Sequence, residues 1–315
     1  MTRSAHEAAA TTTAGGERAR TAAAAALHRL RHDPRPAPAR RPLLPLADEA
    51  WFYAMLLERH FAQCPDDVPQ WQSALDALLD QARGQDPAAA LHDRHPADPY
   101  ARGEELLGAA MLAHLLRIRH PGEPAAERFV ARTLMSFGPP APPVTGLAPL
   151  HALCLAHNLG ELDEHALARA LRPPRDATEA ATGLTGAERL LTQAYFHTHL
   201  VLFAFGTFRR PEADPAPLAD SLAFLRRHAR TFERFGWADL CAETALCLSL
   251  CGERDEDFHR LLATLHHLQR PEGDWRHPRI DERQARHSTM MAALALLEAA
   301  RPADTAATPA TAGHG

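Results

Sequence analysis

The sequence predicts an all-α fold in which helical hairpins close, or nearly close, into an α/α ring. Three observations carry this: a composition of helix formers, an alternation of wholly apolar with amphipathic helices, and a repeat of about 45 residues. Of the 315 residues, 46% are apolar but only 6% aromatic. Ala, Leu, Arg, Glu and Gln dominate over β-branched residues, which disfavours strands. The formal net charge of -5 offers no basic stripe for nucleic acid. No run of apolar residues is long enough to span a bilayer, and the N-terminus has no signal-peptide core. The expectation is a cytoplasmic chain with neither nucleic acid nor membrane as partner. Five cysteines, an odd number without metal or redox spacing, read as reduced thiols.

The elements follow from periodicity and punctuation. Residues 1–42 mix Ala, Thr and Gly with an Arg-rich helical piece from Glu17 to His32 and then Pro34, Pro36, Pro38 and Pro42; they read as an arm and linker. Residues 43–300 form the ring domain, and the tail 301–315 lacks apolar periodicity and reads as disordered. Within the domain the expected helices are 47–62, 69–82, 102–118, 123–137, 147–159, 162–171, 186–206, 216–232, 237–251, 255–268 and 284–299, separated by Pro and Gly breaks. Ala148–Leu159, Ala194–Phe208, Leu240–Cys251 and Met290–Leu297 are apolar on all sides, whereas Leu218–Arg230 and Phe258–Leu268 are amphipathic. Helices apolar all round are buried, so the first class forms an inner ring and the second wraps it.

Equivalent positions of such a ring lie at one height. Near the start of each inner helix stands a polar residue: His151, His197 or His199, Glu243 and His287. His199 precedes Glu243 by 44 residues, as Glu243 precedes His287. This spacing selects His199, while the register of Gly160-Glu161 against Gly252-Glu253 selects His197; the two point to different sides of one helix. A carboxylate on so apolar a face is costly unless paired, protonated or cation-bound. Imidazoles with one carboxylate suit Zn, Fe, Mn or Cu. The expectation is one divalent transition metal held by His199, Glu243 and His287, with His151 as a fourth ligand. A metal-free cavity using the same residues as acid, base and hydrogen-bond donors is the alternative. Glu104 and Glu105 open another inner helix and read as helix-start acids.

A second signal is Leu265-His-His-Leu-Gln269-Arg-Pro-Glu-Gly273-Asp-Trp275. It resembles the QW repeat of squalene and hopene cyclases and the related turn of protein prenyltransferases. The resemblance covers roughly residues 258–298, with Thr264 where an aromatic is usual. It implies an α/α toroid in which Gln269 caps the next inner helix and Trp275 stacks on it. The acid motif of the cyclases, Asp-x-Asp-Asp, is absent. The prenyltransferase resemblance implies a rival zinc site of Asp239, Cys241 and His287, although no Lys/Arg-rich diphosphate pocket is evident. The adjacent Cys-His pair of lanthionine-synthetase-like toroids does not occur. The whole chain also looks like an actinobacterial group of toroid proteins.

These readings lead to a metal-dependent tailoring enzyme, oxidative or cyclising, acting on a small molecule or peptide in bacterial specialised metabolism. The alternatives are a prenyl-type transferase or cyclase using the toroid cavity and a non-catalytic helical-repeat binding protein.

Overall fold

A computed structural model of the chain describes residues 2–32, 42–93, 99–137, 186–204, 218–276 and 281–301. Among these, every regular element is a helix: α1 (Thr2–His32), α2 (Leu43–Arg59), α3 (Val68–Arg83), α4 (Pro87–Asp93), α5 (Pro99–Arg119), α6 (Pro124–Phe137), α7 (Gly186–Ala204), α8 (Ala219–Phe235), α9 (Ala238–Leu250), α10 (Glu256–Leu268) and α11 (Glu282–Ala299), with a 3₁₀ turn at Pro65–Asp67. The expected helices 147–159 and 162–171 lie outside the described residues. No described helix is long and apolar enough to cross a membrane.

The chain divides into two compact units, where the sequence suggested one domain. One comprises Met1–Asp33 with His228–Gly315 and the other Pro34–Arg227, so the division falls within α8.

In the Pro34–Arg227 unit, α2 is buried on most of its surface, from Leu43 through Leu56. It crosses α5 at backbone contact. A Cβ added to Gly108 would lie 2.3 Å from the Leu44 nitrogen, so only glycine fits there. The N-cap residue of α2, Pro42, makes no side-chain cap. Glu105 supplies one from α5, its Oε2 accepting the Leu43 N–H at 2.9 Å. Buried Glu105 is thus a cross-helix cap, where the sequence suggested an acid placed for its own helix start. Trp51 ties the same pair of helices, its Nε1 donating to the Met111 carbonyl at 3.3 Å. Amphipathic α3 buries Trp71, Leu75, Leu78, Leu79 and Ala82, the stripe of one helical face.

In the other unit, α9 is buried throughout Ala238–Ser249, Leu240 through Ser249 without a break, and α11 is buried over most of its length. Between them α10 buries Phe258, Leu261, Leu262 and Leu265 and leaves its polar face outward. Asp255 and Asp281 cap α10 and α11, accepting the N–H groups of Asp257 and Phe258 and of Gln284. At the opposite end, Arg254 donates to the carbonyls of Glu298 and Arg301, each at 3.0 Å, and so caps α11 at its C-terminus. Arg301, which the sequence assigned to the tail, therefore belongs to this unit; residues 302–315 lie outside the described ones.

The largest departure from the sequence reading is the N-terminal segment. Residues 2–32 form one helix, and Ala19, Ala22, Ala23, Ala26 and Leu30 are buried where α1 packs on α11. Alanine is the strongest helix former, and a stripe of it lets two helices approach closely. Composition without large apolar residues had suggested an arm.

The Gln269–Trp275 motif does its work against this helix. Gln269 Nε2 donates to the Ala22 carbonyl of α1 at 2.9 Å, so it does not cap α11, a position Asp281 fills. Trp275 is buried, and its Nε1 donates to the Leu265 carbonyl at 2.7 Å, drawing the α10–α11 connection tight. Gly273 has φ 86°, and a Cβ there would stand 2.7 Å from the Ala25 oxygen. Both conditions call for glycine.

Candidate functional site

Of the residues the sequence singled out, the structure brings two together. Glu243 lies on α9 and His287 on α11, each a little beyond the first helical turn. Packing of α9 against α11 sets His287 Nε2 3.4 Å from Glu243 Oε1. Glu243 is 1% exposed, while the His287 side chain is 27% exposed. A buried carboxylate thus orients an imidazole that reaches solvent.

His199 belongs to the other compact unit, and its ring meets Tyr195 edge-on at 6.1 Å. His151 lies outside the described residues. Among the described residues, no three His, Cys, Asp or Glu side chains gather in a group that could hold a metal.

The rival site fares no better as a metal centre. Cys241 is fully buried. Burial first, then the carboxylates of Glu233 and Asp239, push its thiol far above the ordinary cysteine range. Among the described residues Asp239, Cys241 and His287 do not gather as a group that could hold a metal. Burial and then the charge of Glu243 likewise push Cys247 well up, and Cys251 is pushed up to about 12 by burial and Glu253. All four described cysteines are free thiols, and Cys154 lies outside the described residues.

Two arrangements were not foreseen. His197 Nδ1 meets Ser221 Oγ at 3.0 Å and its ring stacks on Phe224 at 4.2 Å. This anchors α7 to the first turn of α8, and no motif links residues whose contact depends on how two helices pair. The second is the Arg254 network. The guanidinium also pairs with Glu298 Oε1 at 3.0 Å and donates to Ser249 Oγ at 3.1 Å, while Arg301 reaches Glu298 Oε2 at 3.2 Å. Glu298 is 2% exposed, so its charge is compensated by two arginines in a setting where compensation matters.

No protein family, curated protein or solved structure matches this chain. Function is therefore argued from the site.

Proposed function

We propose that this protein is an enzyme acting on a small molecule or peptide, with the Glu243–His287 pair as its chemical centre and an α/α toroid as its frame. The observation that carries the proposal is the buried Glu243 carboxylate set against a partly exposed imidazole. In such a pair the carboxylate fixes the orientation of the ring and stabilises the imidazolium that forms when the ring takes up a proton. His287 then acts as a general base: a proton leaves the substrate for Nδ1, and Glu243 balances the resulting charge through Nε2. The reaction classes that fit are proton-abstracting ones, cyclisation among them.

The toroid reading draws support from three features. Largely buried helices α9 and α11 flank amphipathic α10. The Trp275 hydrogen bond to the Leu265 carbonyl tightens their connection. The first helix of the chain packs on the last one described, as in an array that returns upon itself.

One observation favours metal-dependent chemistry at the same pair. The separation of His287 Nε2 and Glu243 Oε1 is 3.4 Å. It matches the roughly 3.4 Å edge of a tetrahedron with metal–ligand bonds of about 2.1 Å. Glu243 and His287 would then be two ligands of a divalent ion, with solvent or further side chains completing the set.

Both forms are tested together. Untagged protein is reconstituted separately with Zn²⁺, Fe²⁺, Mn²⁺ and Cu²⁺, analysed for bound metal, and incubated with a panel of small molecules and peptides whose products are read by mass. Conversion by the wild type that is lost in both Glu243→Gln and His287→Ala supports the enzyme. Metal lost in the same variants selects the metal-dependent form. Ligands bound equally by wild type and Glu243→Gln with no product identify a binding protein and overturn the proposal.

A further inference from the structure

The sequence holds twenty histidines, and a single pair of them, His28 and His32, stands four residues apart. That interval places two side chains one above the other on a helix face. Both lie in the last part of α1 and both are exposed. Their rings are in contact, with centroids 4.4 Å apart and planes tilted by 49°.

Two imidazoles on successive turns of one helix are a chelating unit. Neutral ring nitrogens are good ligands for borderline divalent ions, and affinity along the first transition series peaks at copper. Once one imidazole is bound, the second is held beside the same ion, which multiplies affinity without any further protein contact. Solvent fills the other coordination positions.

We propose that His28 and His32 form a cation site, separate from Glu243–His287, that takes Cu²⁺ in preference to Zn²⁺. The ion staples the last turns of α1 in helical form. Those turns carry two of the contacts that attach α1 to the rest of its unit. The Leu30 carbonyl accepts from Arg286 Nη1 at 3.4 Å, and Arg29 Nε lies 3.9 Å from Asp274 Oδ2. Arg286 is the neighbour of His287 in sequence. Metal at the end of α1 therefore secures the helix that packs beside the candidate active pair.

The test is calorimetric titration of untagged protein with CuSO₄ and, separately, ZnCl₂. Three proteins are compared: wild type, His28→Ala/His32→Ala and Glu243→Ala/His287→Ala. Both histidines of α1 are exposed, so the first double variant folds as the wild type does. The expected result is that Cu²⁺ affinity falls about tenfold or more in it. The rise in melting temperature that Cu²⁺ gives the wild type should disappear as well. Both properties persist in Glu243→Ala/His287→Ala, which separates this site from the proposed active pair. Cu²⁺ affinity in His28→Ala/His32→Ala equal to that of the wild type overturns the proposal, as does a preference for Zn²⁺.

Discussion

Two buried glutamates sit towards opposite ends of the α9–α11 layer. Glu243 and Glu298 are 1% and 2% exposed, so each faces the same penalty for carrying charge. They differ in the chemistry of what meets them. Glu298 is held by Arg254 and Arg301, whose guanidinium charges do not change at any pH a folded protein meets. Glu243 is met by His287, an imidazole of the kind that exchanges protons near neutrality. The first arrangement is a permanent fastening, and the second is one through which a proton can pass. Burial alone therefore does not separate structural from working carboxylates; the partner does.

The comparison makes its strongest demand at the fastening. Arg254→Ala leaves Glu298 buried without its principal cation and uncaps α11, and should destabilise the protein by about 3–5 kcal/mol in urea unfolding. A loss under about 1 kcal/mol would reduce the network to a surface-like ion pair. Gly273→Ala comes next. An L residue at that positive φ costs about 1–2 kcal/mol, before the collision with the Ala25 oxygen is added. Hydrogen exchange should speed up along residues 19–30 of α1 in that variant, and unchanged protection there would show that α1 is seated by other contacts.

Glu243→Gln should shift stability by no more than about 1–2 kcal/mol, because an amide fills the same volume and can still meet an imidazole. Its effect belongs to chemistry instead. If its melting point falls as far as that of Arg254→Ala, the contrast between the two glutamates collapses and Glu243 is structural.

The smallest expected effect is in pH dependence. Burial and then the nearby Arg18 charge lower the proton affinity of His266 in the folded chain. A group whose folded pKa lies below its unfolded value stabilises the fold above the unfolded value, near 6.5 for histidine, and that contribution is lost as the pH falls through the folded one. Acidification from neutrality should therefore weaken the protein at this site. Arg18→Ala should blunt the loss, and melting curves between neutral and mildly acidic pH read it directly; identical slopes for both proteins would remove Arg18 as a cause.

Much of this was legible in the sequence, for reasons that also mark the limit. Helix positions followed from apolar periodicity and from Pro and Gly breaks, so that the expected 123–137, 237–251 and 255–268 helices fall within a residue or so of α6, α9 and α10. The spacing of 44 residues singled out Glu243 and His287, which meet at 3.4 Å, and singled out His199 equally. Contacts outside the repeat left no such trace. Gln269 reaches a carbonyl 247 residues away on α1. A backbone acceptor has no side chain by which the sequence could announce it. The alanines of α1 were equally silent, since their small size gives packing value only against a particular partner helix.

That distance has a consequence for synthesis. Leu30 and Arg286, joined by a hydrogen bond, are separated by 256 residues. A ribosome adding about 5–20 residues each second takes roughly ten seconds or longer to travel between them. Throughout that interval the nascent chain carries α1 with the alanine stripe bare, because the α11 surface that covers it has yet to emerge. A stalled or truncated product would keep the stripe bare indefinitely and offer it to quality-control machinery.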